Sequence, residues 1–131
     1  MIKKLLLLAV LIGVGTLYAG EIYDADTIVV SDGVMLDKAT MKPADGIYRI
    51  YYDSGDLRYE IALKDGKRNG VTKEYAMSGW LREETPYIDG KIDGSKKLYY
   101  RTGSLMAEIP YKNGKQEGTA KHYREDGSAA E

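Results

Sequence analysis

One histidine, no cysteine, and carboxylates, lysines and tyrosines that recur at a fixed interval are the chemical resources of this 131-residue chain. Without cysteine there is no disulfide, thiolate metal site, thiol nucleophile or lipid-modified cysteine. His122 stands among Lys121, Tyr123 and Arg124, and nothing in the spacing sets a serine and an acid beside it. It reads as a solvated strand residue rather than a general base. Glu60, Glu84 and Glu108 fall in one column, 24 residues apart. Paired carboxylates do acid and base work or hold a hard cation. If each interval is a hairpin, successive members lie two strands apart, about 9 to 10 Å, too far to share one small cation. Cross-strand charge pairing is the expected role, with Glu108 facing Lys96. No catalytic residue, metal or cofactor is expected from these groups.

Binding chemistry is better represented. Tyr51, Tyr75, Tyr99 and Tyr123 form a second column, and with Leu81 and Tyr87 they make the expected docking row for a protein partner or a second copy. Trp80, the only tryptophan, follows a glycine turn where the other copies have Asp56, Ser104 and Ser128, which makes it a candidate interface anchor. Arg49, Lys73, Lys97 and Lys121 form a basic column. Their stems are expected to cover the tyrosine row while the charged ends reach solvent, with Lys73 opposite Glu83.

The elements that must position these groups follow from the repeat. At a shift of 24 residues, Gly46, Gly70, Gly94 and Gly118 coincide, as do Gly55, Gly79, Gly103 and Gly127, and Gly66, Gly90 and Gly114. A fixed period means that each copy is one supersecondary unit. Glycines every nine to fifteen residues, separated by Tyr, Ile, Val and Thr, indicate hairpins rather than helix pairs. Both turn series place glycine third, "DSG" like "KDG", and are read as three-residue loops with a left-handed glycine.

Pairing across the first loop sets Tyr51 opposite Leu57, Arg49 opposite Tyr59 and Ile47 opposite Ile61. Odd-numbered residues are then expected on one apolar face throughout, with Arg58, Glu60, Arg82 and Glu84 on a charged face. The same phase sets Gly70, Gly94 and Gly118 opposite Glu60, Glu84 and Glu108, as notches under a neighbouring ring or a glutamate stem. The fold class is all-β, an elongated antiparallel meander of about seven strands with a 24-residue period. Residues 118–124 form the expected last strand, residues 27–30 and 34–36 are strand candidates in a degenerate capping copy, and residues 21–26 are a flexible leader.

At the N-terminus, Lys3 and Lys4 precede "LLLLAVLIGVG", and Ala19 and Gly20 offer small residues for a peptidase. This reads as a signal peptide over residues 1–20, followed by a leader and cap over 21–45 and the array over 46–131. The apolar run is short for a membrane span, so an uncleaved anchor is the alternative. Removing Lys3 and Lys4 from 19 basic residues leaves 17 against 20 acidic ones, a balance unsuited to nucleic acid. The expected location is the bacterial periplasm or beyond.

Stretches such as "YYRTGSLMAEIPYKNGKQEG" (99–118), "YYDSGDLRYEIALKDGKRNG" (51–70) and "YAMSGWLREETPYIDGKIDG" (75–94) carry an aromatic strand, a glycine turn, a Leu-x-x-Glu strand and a G-K-x-x-G connection. In this the chain resembles the MORN-repeat variant family over roughly residues 33–131. The resemblance implies a curved antiparallel sheet that displays a surface, and it raises acidic lipid headgroups as ligands of Arg49, Lys73, Lys97 and Lys121. It also extends to the YwqK-type antitoxin-like proteins. An export signal is at odds with neutralising a cytoplasmic toxin, so an exported, non-catalytic interaction or scaffolding module is the expectation, with antitoxin-like inhibition and lipid binding as alternatives.

Overall fold

The computed structural model describes residues 20–130. The expected export segment, apart from Gly20, lies outside them. Thirteen strands make up the described residues, and no helix occurs among them. They are β1 (Glu21–Tyr23), β2 (Ile28–Ser31), β3 (Val34–Asp37), β4 (Gly46–Tyr51), β5 (Leu57–Lys64), β6 (Lys67–Tyr75), β7 (Leu81–Ile88), β8 (Lys91–Ile92), β9 (Gly94–Tyr99), β10 (Leu105–Lys112), β11 (Lys115–Gln116), β12 (Lys121–Tyr123) and β13 (Ala129–Ala130). One sheet runs β1-β4-β5-β6-β7-β9-β10-β12-β13, with the stubs β8 on β7 and β11 on β10, while β2 and β3 pair only with each other. The strand count exceeds the expected seven because β1 and β13 join the sheet, β2 and β3 form a hairpin of their own, and the last two G-K-x-x-G connections split into stub and strand, while the first runs unbroken through β6.

Two different turns alternate. Around the first, Tyr52 N–H donates to Asp56 C=O at 2.9 Å and Gly55 N–H to Tyr52 C=O at 2.9 Å, the expected three-residue loop. The second is shorter than expected. Lys64 faces Lys67 directly, and Asp65 and Gly66 both have positive φ, 50° and 73°. This is a two-residue type I′ turn, for which Asp-Gly and Asn-Gly are the preferred pairs because both residues must be left-handed. Asp89-Gly90 and Asn113-Gly114 repeat it, and Asp32-Gly33 joins β2 to β3 in the same way.

The expected constancy of odd and even faces does not hold. Tyr51 faces Leu57, but Ile50 then faces Tyr59, so Arg58 is an extra residue, a β-bulge. Arg82 and Met106 are bulged at the same place in the next two copies. Each bulge shifts the phase by one. Arg49 therefore faces Glu60, not Tyr59, and Ile47 faces Ala62, not Ile61. Beyond the bulges, odd residues of β4, β6, β9 and β12 share a face with even residues of β5, β7 and β10, and Leu57, Leu81 and Leu105, which precede the bulges, lie on that same face.

Gly70, Gly94 and Gly118 do not face Glu60, Glu84 and Glu108 as expected; on the following strand Gly70 and Gly94 face Tyr87 and Tyr111. The glutamates Glu60, Glu84 and Glu108 face Lys73, Lys97 and Lys121 instead. The notch over the glycine is filled by proline rather than by an aromatic ring or a glutamate stem. A Cβ on Gly94 would meet Pro86 Cγ at 3.0 Å, and one on Gly118 would meet Pro110 Cγ at 3.4 Å.

Successive copies are fastened at both edges. At the type I′ turns, Gly66, Gly90 and Gly114 N–H groups donate to Ala44, Arg68 and Ile92 carbonyls at 2.9, 2.8 and 2.8 Å. At the other edge, Tyr52 Oη donates to Tyr75 C=O and Tyr100 Oη to Tyr123 C=O, each at 2.8 Å. Each unit thus satisfies polar groups of the next, which is why such copies are stable only as an array.

The core lies at the N-terminal end. Tyr23, Ala44, Ile61 and Leu63 are buried there, with Ile28, Met35, Tyr48, Ile50 and Tyr59 packed against them. The expected flexible leader is instead β1, which runs parallel to β4 with Glu21 beside Gly46 and Tyr23 beside Tyr48. The β2–β3 hairpin is tied on through Met35 N–H to Gly66 C=O at 2.8 Å and Ala44 N–H to Met35 C=O at 2.9 Å. At the other end, β12 is not the last strand. β13 pairs with it, so Ala129 and Ala130 rather than the charged Lys121, His122 and Arg124 form the outer strand.

Candidate functional site

The bulges create a pattern that an unbroken phase would have destroyed. Arg49, Glu60, Lys73, Glu84, Lys97, Glu108 and Lys121 each face the next across seven strands, in register. Positive and negative side chains therefore alternate along one row of one face. Opposite charges directly across a strand pair stabilise it by about 0.2 to 1 kcal/mol per pair. Arg49 and Glu60 make a direct ion pair, Nη2 to Oε2 at 3.1 Å and Nε to Oε2 at 3.2 Å. The column Arg49, Lys73, Lys97 and Lys121 is thus no isolated basic stripe, because a glutamate separates every two cations.

Beside this ladder, on the same face, runs the tyrosine row. Tyr51 faces Leu57, Tyr75 faces Leu81 and Tyr99 faces Leu105, so tyrosine and leucine alternate from strand to strand. Tyr51 is 44% exposed, while Tyr75, Tyr99 and Tyr123 are half-buried. Two rings are aimed by the ladder itself: Tyr99 Oη donates to Glu84 Oε1 at 2.6 Å, and Tyr123 Oη to Glu108 Oε2 at 3.5 Å. Burial first, then the Glu84 hydrogen bond and the charges of Glu84 and Glu108, push the Tyr99 phenol up to about 12. It stays a neutral donor across the ordinary pH range.

The remaining candidates separate. Tyr87 is not on this row: the bulge at Arg82 turns it to the opposite face, where Arg68 Nη1 donates to its hydroxyl at 3.0 Å and the guanidinium lies 5.1 Å from its ring centre. Lys73 faces Glu84 rather than Glu83, and Glu108 faces Lys97 rather than Lys96. Lys96 pairs instead with Glu83 at 3.0 Å on the opposite face. Trp80 is half-buried and faces Ala76 across its loop, Ala76 N–H donating to Trp80 C=O at 2.9 Å. In the flanking copies the same two positions hold Tyr52 with Asp56 and Tyr100 with Ser104. The aromatic group has changed sides of the loop, so that Trp80 stands across it from Ala76 where the flanking copies carry Tyr52 and Tyr100 on the other side. His122 is exposed on the face opposite the ladder, between Ala107 and Ala130.

Two carboxylates that the column analysis passed over, Glu74 and Glu83, do face each other, on the side away from the ladder. Each is already occupied. Tyr59 Oη donates to Glu74 at 3.1 Å with Arg82 at 3.7 Å, and Thr85 Oγ1 donates to Glu83 at 2.7 Å beside Lys96. Among the described residues no group of three or more acidic, histidine or cysteine side chains is arranged to hold a metal. Leu57 and Leu105 were missed as members of the tyrosine row, although their column with Leu81 was visible at the 24-residue shift.

The MORN repeat variant family matches residues 44–65, 68–89 and 92–113, together 66 of the 131 residues, in phase with the turn-to-turn hydrogen bonds. The chain belongs to the MORN repeat variant family. Its all-β hairpin array is the fold that these repeats build, and MORN repeats are generally associated with protein or membrane binding, the family being typically non-catalytic. No curated protein and no solved structure matches the chain.

Proposed function

We propose that this MORN-variant chain is an exported, non-catalytic binding array, an interaction or scaffolding module whose recognition surface is the ladder face. The observation that carries this is the recurrence, in register over successive copies, of tyrosine, leucine, cation and carboxylate on one face. A surface with translational repetition suits an extended partner or several identical contacts. The basic start and apolar run of residues 3–15 support export. Export argues against antitoxin-like action in the cytoplasm. The alternation of charge argues against acidic lipid headgroups, since a ladder of four cations and three carboxylates presents almost no net charge.

Crosslinking of the exported protein in its native envelope, followed by mass spectrometry, tests this reading. The wild type is expected to give specific contacts that disappear when Tyr75→Ala and Tyr99→Ala are combined in a variant with an unchanged circular-dichroism spectrum. Contacts unaltered by that change would remove the ladder face from the account. Flotation with anionic liposomes is expected to leave the protein at the bottom of the gradient.

A further inference from the structure

The ligand class of the ladder face can be inferred if the binding-array reading holds. We infer that this face binds an extended β-1,4-linked glycan of N-acetylated hexosamines, laid across the strands. Equivalent residues of successive copies are two strands apart, about 9 to 10 Å, close to the length of one disaccharide in such a chain. Neighbouring sugars in it are turned over by half a revolution, so its chemistry also alternates once per sugar. The protein surface alternates once per strand: tyrosine then leucine in one row, cation then carboxylate in the next.

The groups match in kind as well as in spacing. A tyrosine ring offers a negative π face to the polarised C–H face of a sugar. The intervening leucine offers apolar surface to an acetyl methyl. Sugar hydroxyls and amides both donate and accept, and the ladder supplies lysine or arginine donors and glutamate acceptors in turn. The Tyr99 and Tyr123 hydroxyls are already held by Glu84 and Glu108, which limits the ordering cost of binding.

A peptide fits this face less well. An extended chain advances about 3.3 Å per residue, so one copy of the array would span about three residues. Three is odd, and successive copies would meet opposite sides of the peptide. A polyanion has no excess positive charge to follow.

Titration of the full chain with chito-oligosaccharides of two and six sugars, by calorimetry and by amide chemical shifts, tests the inference. The six-sugar chain is expected to bind about tenfold or more tighter than the two-sugar one, because it engages successive copies. Raising the salt concentration is expected to change its affinity little, as few counterions are released. Tyr75→Ala and Tyr99→Ala are each expected to weaken it about fivefold or more, whereas Tyr87→Ala, on the opposite face, leaves it unchanged. Where an alanine variant does not fold, the wild-type shifts decide: changes confined to the ladder face support the inference. Absence of binding, equal affinity for both lengths, or shifts on the opposite face would overturn it. If no binding is seen while envelope crosslinks to a protein still depend on Tyr75 and Tyr99, the glycan is wrong and the array stands; if those crosslinks are also unaffected, both fail.

Discussion

The two ends of the array are built from the same sequence phrase but differ in what lies against it. In the first copy, Ile61 is 1% and Leu63 3% exposed, because Tyr23, Ala44 and the β2–β3 hairpin cover them. In the last copies the equivalent Ile109 and Tyr111 are only half-buried, and the sheet ends on the three residues of β12 and the two of β13. Repeats that look interchangeable in sequence are therefore unequal in stability. An array of this kind sums the stability of each unit and of its contacts with neighbours. The N-terminal cap contributes most, and opening should begin at β12 and β13.

The largest effect should come from the core. Ile61→Ala is expected to cost about 2 to 5 kcal/mol, the usual range for truncating a buried aliphatic residue. Ile109→Ala, one repeat pair along, should cost about half as much or less, in proportion to the area it buries. Urea denaturation of both variants makes the comparison. Equal losses would mean that the cap does not set the gradient.

A second pair isolates packing from backbone conformation. Gly66 and Gly114 occupy the same left-handed turn position, at φ 73° and 82°. A Cβ on Gly114 would meet only Lys91 Cβ, at 3.9 Å, while one on Gly66 would clash with Val34 Cγ1 and lie 2.6 Å from Met35 C=O. Gly114→Ala should therefore cost only the left-handed penalty, about 1 to 2 kcal/mol. Gly66→Ala should cost about 1 to 3 kcal/mol more through overpacking and should expose β3 to hydrogen exchange.

High pH acts on both halves in the same direction. Burial raises the Tyr23 and Tyr48 phenols, and Tyr99 rises from 10.0 to about 12. The unfolded chain then loses these protons before the folded one does. Their stabilisation is complete below pH 10 and falls as the pH climbs above it, towards about 12 in the case of Tyr99. Tyr99→Phe should flatten that fall without removing the part due to Tyr23 and Tyr48, as read by denaturant melts across the window. The smallest effect belongs to the ladder: a double-mutant cycle on Arg49 and Glu60, which are partly exposed, should give about 0.2 to 1 kcal/mol, diminished by salt.

Much of the architecture was legible in the sequence. Three glycine columns and the tyrosines between them carried the period, the strands and the hairpins. The type I′ turns were legible too, as Asp-Gly and Asn-Gly, but the preceding residue, Lys64, Ile88 or Lys112, was counted into the loop. Arg58, Arg82 and Met106 were hidden because a bulge adds one residue without a mandatory residue type. A signal for them existed in the charges. The columns Arg49, Lys73, Lys97, Lys121 and Glu60, Glu84, Glu108 carry opposite signs on opposite parities, and they can pair only if every hairpin shifts phase. β1 could not be anticipated from its own three residues, since what holds it is Gly46. At φ 145° that glycine bends the start of β4, and any Cβ there would strike the Glu21 carbonyl.

Cross-strand nuclear Overhauser contacts between backbone protons test the bulged phase most directly. Contacts joining Lys73 to Glu84 and Lys97 to Glu108 are predicted, the alignment that puts both charge columns and all four tyrosines on one side. Contacts joining Lys73 to Glu83 and Lys97 to Ala107 would contradict it, and would dissolve the ladder together with the surface built around it.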